Sequence, residues 1–113
     1  MSNYKFDTLK VRGGYDSSAH NHSVAVPIYA TAAYEFDGPD HFNNIRAGVQ
    51  AGFLYSRVAN PTVAVLEARV AALDGGVAAV GLASGMAAVS YSILAATGGT
   101  VLLTVALLLL LLI

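Results

Sequence analysis

Residues 60–86, NPTVAVLEARVAALDGGVAAVGLASGM, decide how this chain of 113 residues is read. Asn60 can accept a hydrogen bond from a free amide of a first helical turn, and Pro61 is pre-set for the first helical position. Gly75 supplies a left-handed residue just beyond Asp74, so the sequence predicts a helix over 60–74. Val63, Leu66, Val70 and Leu73 recur on one side as a bulky stripe, while Ala64, Ala68, Ala71 and Ala72 make the other side alanine. A helix with two apolar sides needs cover on both, from a larger fold or a second subunit. Residues 77–82, Val-Ala-Ala-Val-Gly-Leu, are a short apolar run that suits a strand buried on both faces. Ser84-Gly85 then opens a second helix from about Met86 to Thr97, closed by Gly98-Gly99. Helix, strand, turn, helix and strand in that order predict an α/β layer fold with parallel strands.

Outward from this stretch the chain changes character at both ends. Residues 1–26 carry little apolar periodicity and many Gly, Ser, Asp and His, which reads as an extended arm that either lies across another surface, such as a partner subunit, or stays mobile. Residues 27–36 suit a short strand or an extended loop, and Asp40 is a candidate cap for a short helix reaching about Gln50. The divisions that follow are an arm with a short helix over 1–50, the opening of a large domain over 51–99, and an apolar tail over 100–113. All six Lys/Arg and all seven Asp/Glu fall between Lys5 and Asp74, and net charge is −1. That balance argues against an electrostatic nucleic-acid binder, and 56% hydrophobic residues argue against a disordered chain. With no Cys there are no disulfides, thiolate metal sites or thiol nucleophiles. The start is polar and leads into no apolar run, so a cytoplasmic location is expected.

Two stretches can carry chemistry. Glycine after an apolar run lets the unpaired N–H groups of a helix start converge on an anion, making Ser84-Gly85-Met86 a phosphate-cradle candidate. Ser84 as a plain helix cap is the alternative reading. In Tyr55-Ser56-Arg57, a planar guanidinium fork and a phenol sit together, and both suit phosphate oxygens. His20, His22 and His41 lack a defined set of partner ligands, and no metal is expected.

Taken together, residues 55–62 (Tyr-Ser-Arg-Val-Ala-Asn-Pro-Thr) and 83–88 (Ala-Ser-Gly-Met-Ala-Ala) resemble the N-terminal region of the Cys/Met-metabolism family of pyridoxal-phosphate enzymes. The resemblance runs from about Phe6 to Gly99. Residues 8–15, 26–31 and 51–57 are most similar to its O-acetylhomoserine-using branch, which replaces acetate by sulfide to give L-homocysteine. What the resemblance implies is the arm and first part of a fold-type-I, aspartate-aminotransferase-like large domain, truncated, with pyridoxal 5'-phosphate as cofactor. It implies that the backbone at Gly85 and Met86, with Ser84, holds the cofactor phosphate. Tyr55 and Arg57 match residues that reach a neighbouring subunit's cofactor, so the resemblance implies a homo-oligomer with shared sites and an amino-acid substrate. The Schiff-base lysine of the family matches neither Lys5 nor Lys10, the two lysines here, and the ring-stacking aromatic position, at about residue 110, holds Leu. The chain alone is therefore expected to be inactive, with no catalytic residue of its own.

A different class also fits the residues: a small membrane-associated or self-associating protein anchored by its terminal leucines. The 14 residues 100–113 fall short of the ~18–20 that span a bilayer, and no Lys/Arg or Trp/Tyr flanks them closely. A third expectation is that an incomplete parallel sheet leaves an open edge prone to aggregation.

Overall fold

The computed structural model describes residues 4–98. The chain divides into two compact units, Met1–Gly81 and Leu82–Ile113. Among the described residues four α-helices form: α1 (Phe6–Arg12), α2 (Pro39–Arg46), α3 (Pro61–Asp74) and α4 (Gly85–Ala96), with a 3-10 turn at Ser17–His20.

In the first unit the centre is α3, and its ends follow the sequence closely. Asn60 Oδ1 accepts from the Thr62 amide at 2.9 Å, Pro61 occupies the first turn, and Gly75 closes the helix at φ 68°. The bulky stripe, however, is not the side buried most. On α3, Val65 and Ala71 are buried at 6% and 8% exposure, beside Pro61 in the first turn, whereas Leu66 is 57% exposed. Small residues permit close approach of backbone, and here that decides the packing. Gly14, at φ 68°, lies so close to α3 that an added Cβ would stand 2.7 Å from the Ala68 Cβ and 2.6 Å from the Arg69 amide nitrogen. Arg69 Nε donates to the Gly13 carbonyl at 2.9 Å and fastens the same approach.

The arm is thus not wholly extended, and it lies on its own chain. Residues 6–12 wind into α1 because Asp7 favours the first turn, Lys10 and Arg12 the last, and Lys10 reaches Asp7 at 2.7 Å. Tyr15 steadies the following turn by donating to the Ser23 carbonyl at 2.6 Å. An apolar groove between α1 and α3, of about 670 Å3, is lined by Leu9, Gly13 and the alanines of α3. It belongs to this packing.

Two further expectations are corrected. Asp40 lies inside α2, whose cap position is Gly38 and whose first residue is Pro39. Residues 77–82 form no strand, and among the described residues there is none. Val77 is fully exposed at 106% and Val80 is exposed. A strand buried on both faces exists only with neighbours to pair and cover it, and these residues have none in their unit. Instead the segment turns back on α3, where Glu67 Oε1 accepts from the Gly81 amide at 2.7 Å. Residues 27–36 form an extended loop with an isolated antiparallel bridge between Ala33 and Tyr55.

In the second unit α4 begins at Gly85, capped by Ser84, and runs to Ala96, with Gly98 at φ 58° beyond it. No helix of the described residues is long and apolar enough to cross a membrane. The leucine tail, and with it the anchor and the aggregation edge expected there, lies outside the described residues.

Candidate functional site

The first candidate group sits on the loop that enters α3. The Ala33–Tyr55 bridge is tied by the Ser56 amide, donating to the Ala32 carbonyl at 2.8 Å, and the Tyr34 amide, donating to Leu54 at 3.4 Å. Pairing with residues 32–34 gives the loop a fixed backbone, and the next residues fold into a tight turn, with the Val58 amide on the Tyr55 carbonyl at 2.9 Å. This turn brings Arg57 back over Tyr55, with Cζ 4.7 Å from the ring centroid. Stacking on an aromatic face orients a guanidinium while leaving its in-plane N–H groups for an acceptor. Both residues are exposed. Among the described residues, neither the Tyr55 hydroxyl nor the Arg57 guanidinium has a hydrogen-bond or ion-pair partner.

The second group sits at the start of α4 in the other unit. Ser84 has extended backbone, and its Oγ accepts from the Ala87 amide at 3.2 Å. The cap reading of this serine therefore holds. The Ala88 amide turns to the Ser84 carbonyl at 3.2 Å, so the first-turn donors left unpaired within the helix are the Gly85 and Met86 amides. An added Cβ on Gly85 would meet nothing within 4 Å, and Met86 is exposed, so an approaching anion finds open space. No acidic residue occurs anywhere after Asp74 to oppose one.

The donor chemistry therefore fits a phosphate ester on both groups: a stacked guanidinium and phenol on one, two backbone amides at a positive helix end on the other. The histidines do other things. His20 Nδ1 lies 3.0 Å from the Tyr29 hydroxyl and its ring stacks on Tyr15, with centroids 5.3 Å apart. His41 pairs with Asp37 at 3.2 Å. Among the described residues no three His, Asp or Glu side chains gather as metal ligands would.

A profile of the Cys/Met metabolism PLP-dependent enzymes matches residues 7–107, most of the sequence. The chain belongs to that family. It is 49% identical over 84 residues to O-acetyl-L-homoserine sulfhydrylase 1 of Thermus thermophilus, covering 74% of this chain and 20% of that protein. It is 43% identical over 102 residues to the homocysteine/cysteine synthase of Kluyveromyces lactis, covering 88% of this chain and 23% of that one. Among solved structures it resembles an O-acetylhomoserine (thiol)-lyase of Campylobacter jejuni that contains N'-pyridoxyl-lysine-5'-monophosphate. The TM-score is 0.74 at 37% identity, over 81% of this chain and 23% of that chain. The chain thus spans about a fifth of the length of the curated relatives it matches. The fold is that of the corresponding part of the fold-type-I pyridoxal-phosphate enzymes, a partial domain whose regular elements, among the described residues, are helical. Nothing in the fold or the relatives supports the membrane-anchored alternative.

The sequence pointed to Tyr55, Arg57, Ser84, Gly85 and Met86, and passed over Ser56 and Thr62. Thr62 Oγ1 accepts from the Tyr29 amide at 2.9 Å and donates to the Pro27 carbonyl at 2.8 Å, pinning the arm to the start of α3. A hydroxyl with partners more than thirty positions away leaves no local signature.

Proposed function

We propose that this chain supplies phosphate-gripping elements of a pyridoxal 5'-phosphate-dependent O-acetyl-L-homoserine sulfhydrylase, whose reaction replaces acetate by sulfide to give L-homocysteine. The observation that carries the reading is the Arg57 guanidinium held over the Tyr55 ring, 4.7 Å from its centroid, with its donors uncommitted. Tyr55 and Arg57 grip the phosphate of a neighbouring subunit's cofactor, and the Gly85 and Met86 amides grip that of their own. Ser84 keeps those amides aligned by capping α4. The enzyme is accordingly a homo-oligomer with shared sites, working in the cytoplasm on a small amino-acid substrate. Residues 1–50 are its arm and short helix, 51–99 open its cofactor domain, and 100–113 are an apolar tail.

Bound pyridoxal phosphate supplies the electron sink for chemistry at amino-acid carbons. The residues present here bind and orient; they do not move protons at the substrate. Lys10 is exposed on α1 and paired with Asp7, so it is no substitute for the lysine that carries the cofactor. The 113 residues alone are therefore inactive.

A chimera tests the assignment. In the Thermus thermophilus enzyme, the segment aligned with this chain's 84 matching residues is replaced by them. The expected outcome is a cofactor-loaded oligomer forming homocysteine from O-acetyl-L-homoserine and sulfide, while the 113-residue chain forms none above a buffer-plus-cofactor blank. A folded, loaded chimera that eliminates but does not transfer would contradict the sulfhydrylase assignment.

A further inference from the structure

Among the described residues of the first unit, Asn60 is the buried polar one, at 8% exposure, and capping α3 uses one end of its amide only. The other end faces the loop. Nδ2 donates to the Tyr29 carbonyl at 2.9 Å and to Ser56 Oγ at 2.9 Å, and also lies 3.3 Å from the Tyr34 hydroxyl. A carboxamide NH2 has two protons, so the first two contacts take both, and the third is shared. Ser56, in turn, donates through Oγ to the Thr31 carbonyl and through its amide to Ala32. The Tyr34 hydroxyl stands 3.4 Å from Ser56 Oγ. One side chain thus links three segments: the start of α3, the extended residues 29–34, and the middle residue of Tyr55-Ser56-Arg57.

We infer that Asn60 is a positioning residue that sets the register of the Tyr55–Arg57 turn through Ser56, in addition to capping α3. Tyr55 and Arg57 flank Ser56, so fixing Ser56 against residues 31 and 32 fixes where both side chains leave the backbone. A one-residue slip in such pairing sends alternate side chains to the opposite face. No buried polar atom in this network lacks a partner, so the network holds one arrangement. The register role stands on these hydrogen bonds; its consequence for cofactor affinity rests on the phosphate reading above.

Asn60→Asp separates the two duties. Asp retains an acceptor for the Thr62 amide and is itself a favoured cap, but it has no N–H for Ser56 and turns a carboxylate on the Tyr29 carbonyl. Amide hydrogen exchange on the full chain reads the result. The register role expects the Ser56 and Tyr34 amides to exchange at least about tenfold faster, while the Ala64 amide, bonded to the Asn60 carbonyl, keeps its protection. A capping role alone predicts no change at Ser56 or Tyr34, and that result overturns the inference. If Asn60→Asp does not fold, Asn60→Ser, another favoured cap that lacks the carboxamide N–H groups, decides by the same two amides. A second arm titrates the cofactor-free chimera with pyridoxal 5'-phosphate. Arg57→Ala with unaltered binding defeats the phosphate reading and leaves the register role standing. Unaltered amide protection in Asn60→Asp defeats the register role and leaves the phosphate reading standing.

Discussion

Asp16 shows how much one side chain does in an arm without a core. Its carboxylate accepts from the Ser18 hydroxyl at 2.7 Å and the Ser18 amide at 3.0 Å, starting the 3-10 turn that carries His20 toward Tyr29. These bonds favour the charged form and hold its pKa below the ordinary value, the hydroxyl contributing most and His20 and His22 less. Because the folded pKa is depressed, the contribution is present above the unfolded value, about 3.9, and is lost as pH falls through the folded one. A carboxyl chemical-shift titration is expected to give a midpoint below that of a free Asp, and Ser18→Ala is expected to raise it. The same scale explains what the sequence discloses of the site. Tyr55, Arg57 and Gly85 stand out in the sequence as candidates because phenol, guanidinium and glycine have distinctive chemistry. Ser56 and Thr62 do not, because their duties are fixed by residues 25 to 35 positions away.

Among the elements, α3 is the one whose ends were most legible. Asn60, Pro61 and Gly75 act locally, so their capping roles need no tertiary information. Which side of α3 is covered is a tertiary matter: Gly14 closes on Ala68 and Arg69, and Arg69 reaches the Gly13 carbonyl, although the opposite side is bulkier. Two glycines with the same φ of 68° separate close approach from backbone strain. At Gly75 an added Cβ meets nothing within 4 Å, whereas at Gly14 it runs into the α3 backbone. Gly75→Ala is expected to cost about 1 kcal/mol, the left-handed strain alone. Gly14→Ala is expected to cost at least about 2 kcal/mol and to release the arm from α3. Urea unfolding and limited proteolysis within residues 6–20 check both; equal costs would refute the close approach. Residues 77–82 mark the opposite limit, since an apolar run becomes a strand only beside strands, and its own letters do not provide them.

At the scale of the whole molecule, the chain is a family segment whose apolar surfaces are only partly covered. Leu66, Val77 and Val80 remain exposed, as expected of elements that the rest of a fold-type-I domain covers. The family was legible because its two motifs lie in order about thirty residues apart, and each is bounded by a helix start that local chemistry specifies. Sharing of the site between subunits, proposed above from the resemblance of Tyr55 and Arg57 to the family's residues, is the part that a single chain does not display. The phosphate reading makes one claim above the others: the stacked Arg57 and the start of α4 recognise the phosphate of the cofactor and not its ring.

The most direct measurement is an equilibrium titration of the cofactor-free chimera with pyridoxal 5'-phosphate and with phosphate-less pyridoxal, repeated for Arg57→Ala. The account expects the phosphate ester to bind at least about a hundredfold more tightly, and Arg57→Ala to lose at least about tenfold of that preference without changing the affinity for pyridoxal. A preference for the phosphate ester that survives Arg57→Ala intact would contradict it.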